Sequence, residues 1–140
     1  MKYRFTEAEL KENKQAQNAV ALLDLLNEHE HTNITMHFTR AGGGKANLKK
    51  AHFTIPRHAL AEGEAYTLYY VIHEFTHCLG HYKGHDNTFK RKERTVLNLL
   101  GMSIDYARAY PKALYVNGEK VYNKTRRKKL SPLINKRRVK

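Results

Sequence analysis

The chain has 140 residues, with 26 Lys and Arg against 13 Asp and Glu, and a formal net charge of +13 at pH 7. That length can bury an apolar core of its own, and a single cysteine, Cys78, excludes internal disulfides and a four-cysteine metal module. No run approaches the ~18 apolar residues of a membrane span, and no apolar stretch follows the charged Met1–Arg4, so the expectation is a cytoplasmic chain with no membrane contact and an affinity for polyanions.

Thr6 and Glu9 form a capping box, and Leu10, Ala16, Ala19, Val20, Leu22, Leu23 and Leu26 recur at helical spacing. The pattern predicts a helix over 6–30, with Leu22, Leu23 and Leu26 in the core. Residues 34–39 alternate and are rich in β-formers, which predicts a strand. Ala41-Gly42-Gly43-Gly44-Lys45 lacks the spacing of a phosphate-binding loop and reads as a hairpin turn. A second strand over 51–55 ends at Pro56. Residues 64–81 then read as a helix, with Leu68, Ile72, Phe75 and Leu79 on one apolar face and His73 and His77 beside it. Gly80 and Gly84 bracket its end. A further helix over 86–100 carries Phe89, Val96, Leu97 and Leu100, with Arg91, Lys92 and Arg94 on a basic side.

Asn117-Gly118 between β-formers predicts a two-residue hairpin turn. From Lys124 to Lys140 there are nine Lys and Arg and no acid. Lys124, Arg126, Arg127, Lys128, Lys129, Arg137 and Arg138 are the candidate nucleic-acid contacts there; a solubilising tail is the plainer alternative. The fold class is α+β, with one domain over 1–110 and a hairpin and basic tail over 111–140.

His73-Glu74-Phe75-Thr76-His77 carries the chemistry. Two imidazoles four residues apart share one helix face and can grip one metal ion, while the glutamate between them can take a proton from water. With 9 His in the chain, chance produces this pattern about 0.04 times, so coincidence is a weak explanation. A catalytic zinc needs a third protein ligand. A metzincin continuation fails, because Lys83 stands where its third histidine would be. His81 on a continued helix would make three ligands in a line spanning about 12 Å, too long for one ion. His85 is better placed if Gly84 breaks the helix and lets the chain fold back; Asp86 and Glu93 are the alternative oxygen ligands. Cys78, inside the helix, reads as a small buried hydrophobe. His29, His31, His37, His52 and His58 read as surface or strand residues, and Tyr66, Tyr69 and Tyr70 as packing around the motif helix.

The motif followed by Gly84-His85-Asp86-Asn87-Thr88-Phe89-Lys90 resembles the SprT-like zinc metallopeptidase family. The resemblance implies a zincin-like minimal metalloprotease core: an N-terminal helix, a small antiparallel sheet or hairpin, the motif helix and a following helix. It implies Zn2+ held by His73, His77 and His85, Glu74 as general base, and Phe89 packing the third ligand's loop. It also implies a protein or peptide substrate, which by likeness to the Spartan group within that family would be attached to DNA. The layout is matched over about residues 5–100 and specific identity over 73–90. The chain departs from the family at Phe75, where an aliphatic residue is usual, and in lacking the cysteine-based zinc ribbon of its larger members. The strand at 51–55 is the expected edge for aligning a peptide, and Tyr82, His81 and Arg57 are candidate oxyanion partners. The competing readings are a basic nucleic-acid-binding protein with a closed structural zinc site, a zinc hydrolase of another class, and an inactive protease fold. Only three aspartates, Asp24, Asp86 and Asp105, argue against a nuclease.

Overall fold

The computed structural model describes residues 12–39, 43–80, 82–105 and 113–123. Helix α1 (Lys14–Glu30) begins where the Asn13 side chain accepts the Ala16 N–H at 2.9 Å. Asn13 itself is extended, so the single helix expected over 6–30 is interrupted there. A helix cannot run through a residue whose side chain caps the next turn. The capping box at Thr6 and Glu9 lies outside the described residues. Ala16, Ala19, Leu22, Leu23 and Leu26 are buried, as the spacing predicts. His31 ends α1 in the left-handed region at φ 58°. Buried Asn27 then joins helix to sheet: its Nδ2 donates to the Ile34 carbonyl at 2.8 Å, and its Oδ1 accepts the Ile34 N–H at 2.9 Å.

The first sheet holds β1 (Thr35–Thr39), β2 (Lys45–Asn47) and β3 (His52–Pro56) in the order β1-β3-β2. β1 runs parallel to β3, and β2 antiparallel to it. The expected hairpin between the two long strands is therefore wrong. The reversal comes one strand later, at residues 48–51, where Ala51 has φ 50°. The short strand β2 was not expected, because three residues are too few to show a period of two. Met36, Phe38, Phe53 and Ile55 point inward by strand alternation and are buried.

Pro56 leads into α2 (Arg57–Ala61), and Gly63, at φ 101°, turns the chain into α3 (Glu64–Gly80). Every residue from Val71 to Cys78 is buried. The expectation of one apolar face underestimates this helix: Leu68 and Leu79 are half-buried, while Tyr66, Tyr69, Thr67 and the motif residues are inside. The cause is packing on more than one side, since α3 contacts α1, α2, β2 and β3. Helix α4 (Asn87–Asn98) starts where Asp86 Oδ1 accepts the Phe89 N–H at 2.9 Å. Phe53, Phe75 and Phe89 are fully buried; each ring contributes about 1.5–3 kcal/mol relative to exposure. Lys92 on α4 reaches Glu30 on α1 at 3.2 Å. Leu100, expected on this helix, lies beyond it and is exposed, because α4 has already ended at Asn98.

The chain divides into two compact units that part between Val96 and Leu97. The second carries an antiparallel sheet of β4 (Met102–Asp105), β5 (Ala113–Val116) and β6 (Glu119–Asn123), in that order. β4 lies before residue 110 and pairs with β5 beyond it, so this sheet joins the two sides of the boundary expected from the sequence. Asn117 and Gly118 turn with φ of 51° and 83°, the positive values that a two-residue hairpin of this kind needs. The basic tail over 124–140 lies outside the described residues. Among the described residues, no helix is long and apolar enough to cross a membrane.

Candidate metal centre

Helix α3 puts His73 and His77 one turn apart. The ring of His85 comes back to meet them, with its Nε2 3.2 Å from His73 Nε2 and 3.1 Å from His77 Nε2. Nitrogens held ~2.0–2.1 Å from one tetrahedrally bound ion sit ~3.3 Å apart, so the spacing fits a shared metal. The far side of two rings is already committed. His73 Nδ1 lies 2.6 Å from Glu93 Oε2, and His77 Nδ1 lies 2.6 Å from the Tyr82 carbonyl. Both acceptors take the Nδ1 proton, so in the neutral rings each Nε2 keeps a bare lone pair aimed at the others. Converging lone pairs repel unless a proton or a metal ion lies among them. These three histidines could hold a metal ion.

Burial pushes His77 and His85 below the usual histidine range, and the neighbouring histidines push the same way. Neutral imidazole is the form that ligates, so the site is ready at neutral pH. Burial pushes the Glu74 carboxyl up to about 7; Glu93 adds to the rise and His73 opposes it. A carboxyl with that value is poised to exchange a proton near neutrality. Cys78 is pushed up to about 12 by burial, so its thiol stays protonated and inert.

The loop that delivers His85 is clamped by a ligand. The Tyr82 N–H donates to the His77 carbonyl at 3.0 Å, and His77 Nδ1 donates to the Tyr82 carbonyl. The reversal thus begins at Gly80, four residues before the expected break at Gly84. The Tyr82 ring lies over Gly80, where a Cβ would fall 2.0 Å from it, so a side chain at 80 would displace that ring. Phe89 packs against all three ligand rings, stacked on His77 at 4.4 Å and edge-on to His73 at 5.2 Å and His85 at 5.1 Å.

The structure brings together His73, Glu74, His77 and His85, with Tyr82 beside them, in one cleft of about 340 Å3. Two alternatives for the third ligand have other work. Asp86 caps α4, and Glu93, fully buried, orients His73 instead of joining the ligand cluster. Arg57 is not among the lining residues, and His81 lies outside the described residues. The strand at 51–55 is not an edge: β3 is central, and β2 lines the cleft through Ala46, with Gly44 and Leu48 on either side of it. The signal that pointed to this was the glycine run before β2. The Gly44 N–H donates to the Tyr70 hydroxyl at 2.6 Å, and a Cβ on Gly44 would sit 2.4 Å from the Tyr70 ring and 2.8 Å from the Thr54 carbonyl oxygen. Only glycine lets helix α3 hold β2 this close.

Comparison with protein-family models, with curated proteins and with solved structures finds no match.

Proposed function

We propose that this chain is a zinc-dependent metallopeptidase, with His73, His77 and His85 as ligands and Glu74 as general base. The observation that carries the reading is the convergence of three Nε2 atoms beside a buried carboxyl of raised affinity for protons, in an open cleft. Three protein ligands leave a coordination position for chemistry, whereas a closed structural site takes four. Bound zinc would supply a Lewis acid that acidifies water and polarises a carbonyl. Glu74 accepts the proton of the attacking water and returns it to the leaving amine. Glu93 and the Tyr82 carbonyl keep the first two rings in the ligating tautomer.

β2 would position the peptide. It pairs with β3 alone among the described residues. The Lys45 N–H is directed to Thr54 on β3. By strand alternation, the Ala46 N–H and C=O point out from the open edge, where an extended peptide can add as a further strand.

The test is metal content and cleavage of an unstructured protein substrate. We expect about one zinc per chain, loss of hydrolysis on chelation, and recovery when zinc is restored. His85→Ala is expected to lose most zinc and all cleavage. Tight zinc with no cleavage of any peptide would overturn the peptidase reading in favour of a structural site.

The +13 charge supports a second element of the proposal, delivery of the active site to proteins on DNA or another polyanion. Deleting residues 124–140 is expected to weaken DNA binding and to flatten the slope of log affinity against log salt, by up to ~0.9 for each phosphate that the tail neutralises. An unchanged slope would make the tail a solubilising end.

A further inference from the structure

Beside the metal cleft lies a second one, of about 530 Å3. The two share Ala46, Leu48 and Lys83. Between them runs the segment from Gly44 to Lys49, and its residues are sorted by parity. Gly44, Ala46 and Leu48 line the metal cleft, while Lys45, Asn47 and Lys49 line only the second. This is the period of two of an extended chain, continued into the turn beyond β2. The second cleft is basic. Lys45, Lys49 and Lys83 are exposed at its rim, and no carboxylate lines it among the described residues. Its β3 side offers Thr54 and His52. The His52 ring is fixed from behind: it stacks on His37 at 4.8 Å and lies within hydrogen-bond distance of that ring and of the Thr35 hydroxyl.

We infer that this cleft is a substrate subsite that takes an acidic side chain. The inference rests on the peptidase reading and names the kind of peptide that site prefers. A strand added to the open edge of β2 alternates in step with β2. When one of its residues faces the metal, its neighbours face the basic side. A Glu or Asp there meets three ammonium groups and gives up little hydration at the open rim. A polynucleotide is the rival occupant. The peptide is favoured because the cleft is continuous with the metal cleft and is built on a strand edge, whose backbone groups pair with another backbone.

The experiment uses the full-length zinc-loaded protein and a set of quenched-fluorescent peptides that differ only by Glu or Gln at successive positions. The wild type is expected to favour Glu at one position by roughly 5- to 10-fold in kcat/KM, and less in high salt. The double variant Lys45→Glu, Lys49→Glu is expected to lose or invert that preference, read as the ratio of kcat/KM for the Glu and Gln peptides. A binding readout separates the two claims. Glu74→Gln protein should bind the labelled acidic peptide more tightly than its Gln partner, and the two lysine changes should remove the difference. Selective binding without cleavage by the wild type would sink the peptidase reading and keep the acidic subsite. Cleavage with equal rates for Glu and Gln at every position overturns the subsite. It is also overturned if the lysine changes abolish oligonucleotide binding while peptide preference is absent, which assigns the cleft to phosphate.

Discussion

Glu74→Gln is expected to abolish hydrolysis, to leave zinc content intact and to make the metal-free protein more stable at pH 8. The first effect follows from its proposed role as general base. Removing a positioned base costs about 10²–10⁴-fold in rate, and the amide is neutral, of the same size and no ligand. The third effect follows from burial, which raises the folded carboxyl from its ordinary 4.5 to about 7. Between those values the folded chain keeps a proton that the unfolded chain has released, and that contribution is lost as pH rises through 7. At pH 8 the metal-free fold therefore carries a buried carboxylate, which costs on the order of 1–3 kcal/mol, and the glutamine removes it. Melting of metal-free wild type and variant should differ by several degrees at pH 8 and converge at pH 5. In the proposed zinc-loaded enzyme the same carboxyl is expected to set the acid limb of kcat/KM, shifted downward by a cation beside it. Undiminished hydrolysis by Glu74→Gln would remove Glu74 from the mechanism.

Glu93→Gln is expected to lower zinc affinity about 10- to 100-fold without unfolding the chain. Glu93 stands outside the histidine cluster; it acts on His73 Nδ1 from 2.6 Å, at a position with no solvent exposure. A carboxylate fixes the ring's tautomer and makes Nε2 a stronger donor. An amide oxygen can keep the orientation but not the charge. Competition against a chromophoric chelator measures the loss, and the zinc-dependent rise in Tm should shrink with it. Glu93→Ala is the harsher change, since it opens a cavity and strips a buried partner; removing one member of a buried pair costs up to ~3–5 kcal/mol. Equal zinc affinity for wild type and Glu93→Gln would show that the contact orients nothing.

The metal centre was more legible in the sequence than the sheet was. His73, Glu74 and His77 need only helical periodicity, a local rule that the buried helix α3 obeys. His85 needed one further idea, a reversal after the helix. The reversal is present, but it is made by Gly80 and the paired contacts of His77 with Tyr82, which no spacing rule contains. The role of Glu93 was missed for a different reason. A glutamate on the next helix can bind the metal or bind a ligand, and only distance separates the two. The sheet misled because strand pairing is non-local. Residues 34–39 and 51–55 both read as strands, and joining them by the glycine run was the simplest hairpin. The three-residue β2 took the antiparallel partnership instead and made β1 parallel to β3. That exchange moved the open edge from the strand before α2 to the strand beside the metal cleft.

The clamp between His77 and Tyr82 has a consequence for assembly. Eight residues separate His77 from His85, and twenty separate His73 from Glu93. Loops this short cost little chain entropy to close, and the cost grows only slowly with length. Contacts of such small sequence separation form early when a chain folds. The three histidines and the carboxylate behind them are therefore written into one contiguous stretch, from helix α3 to α4, and can be in place before the longer-range packing of α1 on α3 is made. A chain that captured a metal ion at that stage would fold the rest of the first unit around a finished centre.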